Sequence, residues 1–307
     1  MDIKHISVIG LGAMGTPIAS FLLKAGYHVS GFDIAGKQMS KLTKKGLRPV
    51  KSPKEAAKGA DLIILSLRNW GIVMEVLEGK DGLLEGAGKG QIIVDTSTVP
   101  PWESKSMAKK LAKKGIEWID APISGSASQA RVGNMVFMAG GKKSVFNRVK
   151  PILDKVGKKT VYVGKSGDAA MLKLVVNQTL FLNQAAAIEG FVLGLKAGLD
   201  PKVMLDVMSS GAAGSDLIIS RGEDMLNGKF DPKGPIWLAV KDVELILESA
   251  KQMGVVLPMG SLYHQLLLRA HFSGWDQEDA TVVMKIYEQL ADIKQKDKKP
   301  LQRKKKI

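Results

Sequence analysis

The stretch His5-Ile6-Ser7-Val8-Ile9-Gly10-Leu11-Gly12-Ala13-Met14-Gly15 decides how the chain begins to fold. Its first five residues are mostly apolar and β-branched, which predicts a short strand. Glycines at Gly10, Gly12 and Gly15 follow, and then Ile18, Ala19, Leu22 and Leu23 recur at helical spacing. Strand, glycine turn and helix in this order are the context in which GxGxxG reads as a dinucleotide fingerprint. Gly10 permits the tight turn, Gly12 lets the backbone approach a pyrophosphate, and Gly15 lets the helix lie close to the strand. Through Leu11, Ala13 and Met14 the loop leads into a helix N-terminus, whose N–H groups face phosphate.

Working outward, a second strand at residues 28–32 ends in Asp33, where the ribose hydroxyls of NAD are usually held. An NADP site prefers a neutral residue here with an Arg beside it, whereas Ile34 and Ala35 follow. NAD is therefore favoured, with Lys37 close enough to keep NADP open. Residues 61–67 form a continuous apolar run ending at Leu67, as in strands covered on both faces. Further strands are predicted at 91–94, 115–119, 134–139 and 160–163, with helices at 70–77, 101–114 and 144–156. The alternation implies an α/β domain over residues 1–164, a Rossmann-type doubly wound parallel sheet with ligands at the carboxyl ends of its strands. Two strand-end stretches qualify, Asp95-Thr96-Ser97-Thr98 and Asp120-Ala121-Pro122-Ile123-Ser124-Gly125-Ser126. The second can aim backbone N–H groups at an anion.

After Gly167 the periodicity becomes helical only. An opening helix at 168–197 would span about 45 Å at 1.5 Å per residue, and segments at 202–209, 238–252, 259–270 and 280–293 follow. Residues 165–293 thus read as an all-α domain for substrate and oligomerisation, and 294–307 as a basic tail. The opening helix is apolar almost all round, the signature of a helix buried between two bodies. Lys173 nevertheless sits among Leu172, Leu174, Val175 and Val176, with Asn177 four positions on and on the same face. Burying a lysine is costly unless something uses it.

With 307 residues the chain is long enough for two domains. It has no cysteine, which excludes disulfides, thiolate metal ligands and a cysteine nucleophile and fits a reducing cytoplasm. No signal peptide or membrane span is read. The net charge is +15, but the tail holds seven Lys, one Arg and one Asp, a net +7. A solvated terminus explains that better than nucleic acid does. His5, His28, His264 and His271 stand at no recognised ligand spacing, so no metal is expected.

In these residues the chain resembles the beta-hydroxyacid dehydrogenases, a family that includes 3-hydroxyisobutyrate dehydrogenases and the tartronate semialdehyde and glyoxylate/succinic semialdehyde reductases. The likeness runs to about Leu290. It rests on the joint order of Gly10–Gly15, Asp95–Thr98, Asp120–Gly125 with Gly133 and Gly140-Gly141, and Gly167 with Lys173, Asn177 and Lys241-Asp242. The semialdehyde reductases are nearest in motif, in Ser126 after Ser124-Gly125 and in Lys173-Leu-Val-Val-Asn177. The resemblance implies an NAD(P)-dependent oxidoreductase moving a hydride between nicotinamide and a small beta-hydroxy acid or its semialdehyde or 2-oxo acid. It implies Lys173 as general acid/base and Asn177 as the residue that orients substrate. It places Ser124 and Gly125 at the substrate carboxylate and Thr98 and Lys241 at the nicotinamide ribose; Ser126 is a further substrate-binding candidate and Leu67 a further cofactor-binding one. It also implies a homodimer or homotetramer. Two alternatives stay open: an imine reductase on the same scaffold, whose members usually lack the lysine, and a non-catalytic interaction module.

Overall fold

A computed structural model describes residues 3–293; the 294–307 tail and the Lys37 side chain lie outside the described residues. By contact density the chain divides into two compact units, Met1–Leu174 and Val175–Ile307. The first holds a nine-stranded sheet: β1 (His5–Ile9), β2 (His28–Phe32), β3 (Arg48–Pro49), β4 (Leu62–Leu65), β5 (Ile92–Asp95), β6 (Glu117–Asp120), β7 (Ile123–Ser124), β8 (Val136–Gly140) and β9 (Lys159–Gly164). The strands run in the order β3-β2-β1-β4-β5-β6-β8-β7, with β9 also on β8. Its helices are α1 (Gly15–Lys24), α2 (Gly36–Thr43), α3 (Pro53–Ala57), α4 (Trp70–Glu78), α5 (Leu83–Gly86), α6 (Pro101–Ala112), α7 (Ala127–Arg131) and α8 (Lys143–Leu153).

The central strands are buried on both faces because both alternating sets of side chains are apolar. In β4, Leu62 and Ile64 join one cluster with Ile18 and Leu22 of α1 and Val149 of α8. Ile63 and Leu65 join the other, with Val73 of α4 and Met107 and Leu111 of α6. β5 divides in the same way, Ile92 and Val94 against Ile93. The doubly wound architecture follows from that double burial.

The sheet departs from the purely parallel expectation beyond β6. There β8 runs antiparallel to β6 at Asp120↔Gly140 and antiparallel to β7, and pairs in parallel with β9. Strand composition reports burial, not direction, so the reversal leaves no mark in the apolar pattern.

The second unit is helical: the greater part of α9 (Asp168–Lys196), then α10 (Pro201–Ser210), α11 (Asp216–Leu226), α12 (Ile236–Gln252), α13 (Pro258–Phe272), a 3-10 turn (Ala280–Val283) and α14 (Met284–Leu290). α11 is absent from the sequence reading; Gly222 lies inside it and weakens its pattern. Beyond its first turns, α9 buries Asn177, Phe181, Gln184, Ile188 and Phe191, steps of three and four that make a single stripe. Gln184 donates to the Tyr263 hydroxyl of α13 at 2.7 Å, and a side chain at Gly260 would stand 2.7 Å from Gln178. Val175, Leu180 and Leu193 of the same helix are exposed, because the chain's own described helices cover only the stripe.

Candidate active site

The glycine loop sits between β1 and α1. Gly10 takes φ +88°, and a side chain there would lie 2.3 Å from the Ser66 carbonyl oxygen. One at Gly15 would lie 1.8 Å from the Gly10 carbonyl oxygen. Helix and strand therefore meet closer than any Cβ allows. Gly12 differs, since a Cβ there would meet nothing within 4 Å. Behind it, α1 opens with no side-chain cap and no acidic residue in its first turn; the Thr16 N–H is taken by the Gly12 carbonyl oxygen and Pro17 has none, so the Gly15 end of the helix is the part that faces an anion. Open space over Gly12 and an uncapped helix end fit a dinucleotide pyrophosphate. Leu11 is buried and contributes backbone rather than side chain; Ala13 is exposed and Met14 half-buried.

Asp33 binds the loop to the end of β2. Its Oδ2 accepts the Leu11 N–H at 2.6 Å and its Oδ1 the Ala35 N–H at 2.7 Å. Each carboxylate oxygen keeps a second lone pair that a ribose hydroxyl can use. The Leu67 N–H donates to Ser97 Oγ at 2.9 Å, and the Ser97 N–H to Asp95 Oδ1 at 3.0 Å. Leu67 approaches the Gly10 position, and half-buried Thr98 follows Ser97. Short hydrogen bonds and close packing thus knit the loops after β1, β2, β4 and β5 together.

Ser124 is the last residue of β7 and is held in register opposite Val136 of β8, so it belongs to the sheet rather than to a free loop. Gly125 follows at φ +145°, which favours glycine. Ser126 is committed locally. Its hydroxyl caps α7, the Gln129 side chain accepts its N–H in a capping box, and its Oγ lies 2.8 Å from Ser128 Oγ.

Asp120, at the end of β6, has a structural role that no motif revealed. It is 1% exposed and accepts the N–H groups of Gly167 and Ala170 at 3.0 Å each, at the start of α9. Burial raises its pKa, and the helix N–H groups oppose that only in part. Gly140 makes room for it, since a Cβ there would lie 2.9 Å from Asp120 Oδ2. One carboxylate therefore ties the strand that leads to Ser124 to the helix that carries Lys173. Lys173 is half-buried and Asn177 is buried on that helix.

In the second unit Asn177 and Lys241 meet at Asp242. Asn177 Nδ2 donates to Asp242 Oδ2 at 2.8 Å, and Lys241 Nζ lies 2.8 Å from Asp242 Oδ1. A solvated Lys-Asp on a helix surface is the ordinary arrangement, but here Asp242 is buried. Among the described residues no group of three or more His, Cys, Asp or Glu side chains is placed to hold a metal. Nor is any helix among them long and apolar enough to cross a membrane.

Two family models cover most of the chain. One, described as the NAD binding domain of 6-phosphogluconate dehydrogenase, matches residues 5–164. The other, described as NAD-binding of NADP-dependent 3-hydroxyisobutyrate dehydrogenase, matches residues 167–287. The chain is 35% identical to 2-(hydroxymethyl)glutarate dehydrogenase of Eubacterium barkeri, over 94% of this chain and 96% of that one. It is 33% identical to 2-hydroxy-3-oxopropionate reductase of Escherichia coli K12, over 94% of this chain and 99% of that one. The crystal structure of a 3-hydroxyisobutyrate dehydrogenase from Salmonella typhimurium superimposes with a TM-score of 0.85 at 29% identity, covering 92% of this chain and 99% of that one.

Proposed function

The chain belongs to the beta-hydroxyacid dehydrogenase family, and from that premise we propose that Lys173 is the general acid/base of its reaction. The protein is an NAD(P)-dependent hydroxyacid dehydrogenase or reductase. The bound nicotinamide supplies or receives the hydride. In reduction, negative charge grows on the substrate carbonyl oxygen, and the Lys173 ammonium stabilises that charge and delivers a proton to the oxygen. In oxidation the neutral amine takes the hydroxyl proton. Asn177 orients the substrate, Ser124 and Gly125 hold its carboxylate, and Ser126 stiffens that loop through its cap. Gly10 to Gly15, Asp33, Leu67, Thr98 and Lys241 hold the cofactor, with the Asp33 carboxylate favouring NAD over NADP.

The substrate class is a small carboxylate-bearing beta-hydroxy acid or the matching semialdehyde or 2-oxo acid, as the relatives' names indicate. Leu193, Val203 and Val207, exposed on α9 and α10, support a homodimer or homotetramer, and the cysteine-free composition supports a cytoplasmic setting.

The observation that carries the lysine assignment is the anchoring of its helix. The first turn of α9 is fixed by Asp120, the residue that leads into the Ser124-Gly125 loop. A screen of NADH and NADPH against glyoxylate, succinic, tartronate and methylmalonate semialdehydes, with a cyclic imine as contrast, identifies substrate and cofactor. On the best pair, Lys173→Ala is expected to lower kcat by about 10²–10⁴ while NAD(P)H still binds. Near-normal turnover with cofactor bound rejects the assignment, and imine reduction without keto-acid reduction rejects the reaction class.

A further inference from the structure

Asp242 lies on the buried stripe of α12, in step with Ala239, Val243 and Ile246, and is 5% exposed. A carboxylate in an apolar stripe is unfavourable unless charge and hydrogen bonds compensate it. Both are present. Lys241 Nζ lies 2.8 Å from Oδ1, and Asn177 Nδ2 donates to Oδ2 at 2.8 Å.

The chemistry of this trio settles a question that geometry alone leaves open. The two ends of an asparagine amide have nearly the same shape, so its orientation has to be inferred from its partners. An ion-paired carboxylate offers only lone pairs, so it must face the NH2 end of the amide. The carbonyl oxygen of Asn177 is thereby turned away from Asp242. Asn177 also sits at i+4 from Lys173 on one helix, so the two side chains leave the same face.

Resting on the reading of Lys173 and Asn177 given above, we propose that Asp242 is a positioning residue for the reaction, holding the Asn177 amide so that its Oδ1 serves the reacting centre as a hydrogen-bond acceptor. Asn177 then aims an O–H or N–H of that centre through Oδ1, while one of its two amide N–H groups is held by Asp242. Lys241 sets its ammonium 2.8 Å from the other oxygen of Asp242, a part distinct from any contact it makes with cofactor.

Asp242→Asn keeps the size of the side chain but can present either amide end, so Asn177 loses its fixed orientation. The test compares wild type, Asp242→Asn, Asn177→Ala and the double variant in the full-length protein. Tartronate semialdehyde is the probe, with NADH carrying either hydrogen or deuterium at C4. Asp242→Asn is expected to lower kcat by about tenfold to a hundredfold and to raise the isotope effect, since hydride transfer becomes the slower step. In the Asn177→Ala background the same substitution is expected to change kcat by less than about twofold, because the amide it acts through is gone.

Three results overturn the proposal. In one, Asp242→Asn is as fast as wild type. In another, it costs the same factor with and without Asn177. In the third, kcat falls while an isotope effect that is below its fully expressed value in wild type stays fixed, which marks a loss of folded molecules rather than a misaligned site. If Asn177→Ala is too slow to measure, the isotope effect of Asp242→Asn decides alone. Normal turnover in Lys173→Ala would reject the lysine assignment and leave the coupling of Asp242 to Asn177 to stand or fall on its own numbers.

Discussion

Replacing Gly12 by Ala separates what the glycine loop contributes to folding from what it contributes to binding. A Cβ at this position meets nothing within 4 Å, and Gly12 is not among the residues with positive φ. The alanine backbone is therefore unstrained, and the unfolded chain loses freedom, so stability is expected to rise by about 0.4–1 kcal/mol. The same methyl group projects into the space assigned to the pyrophosphate. Overpacking of that kind costs about 1–3 kcal/mol, which raises the Kd for NADH by about fivefold to 150-fold at 1.4 kcal/mol per decade. Gly15→Ala is the contrast, because its Cβ would lie 1.8 Å from the Gly10 carbonyl oxygen and no rotamer relieves that. It should lose stability and binding together. Thermal unfolding by circular dichroism and titration of NADH fluorescence read the two quantities separately. A Gly12→Ala protein that binds NADH as tightly as wild type would refute the reasoning, because the phosphates would then not lie over Gly12.

Asp33→Ser removes the charge that repels a 2′-phosphate and should shift the ratio of kcat/KM for NADPH to NADH upward by about tenfold, with part of the NADH loss coming from the missing Leu11 bond; an unchanged ratio would mean that Asp33 does not face the ribose. Asp120→Asn leaves one of two helix N–H groups facing an amide NH2 rather than an acceptor, a loss of about 1–3 kcal/mol that should slow turnover without weakening cofactor binding. Because burial raises the Asp120 pKa, the folded chain holds that proton to higher pH than the unfolded chain does. Its contribution is greatest at acid pH and declines as pH climbs from the ordinary carboxylate range through the raised value. Urea unfolding of wild type relative to Asp120→Asn should show that decline, and a rise across the same window would contradict it.

The cofactor half of the fold was legible because its signals are local. The glycine spacing, the apolar run that becomes β4 and the carboxylate at the end of β2 all lie within a few residues of the element they specify, and each is found where its pattern put it. The reversed strand was not legible. β6 and β8 are separated by only a short strand and α7, and nothing in Val136–Gly140 encodes which way it runs. That reversal matters, since pairing with β8 turns Ser124 from a loop residue into a sheet residue.

Asp120 and Asp242 stand in the motifs read from the sequence, but their structural roles stayed hidden for a different reason. A search for chemistry ranks a residue by what it can do to a ligand, and both are used on the protein itself. Asp120 acts on N–H groups 47 and 50 positions away, and Asp242 on an amide 65 positions away. Sequence spacing carries no trace of such contacts, but energetics does. A carboxylate buried in apolar surroundings is retained only where its partners repay the desolvation. Lys173 and Asn177 are separated by a single helical turn, so small errors in where α9 begins or how Asn177 is turned reach both polar tips. Asp120 fixes the start of that helix and Asp242 fixes the amide. Variants at either should slow the chemical step more than they weaken cofactor binding.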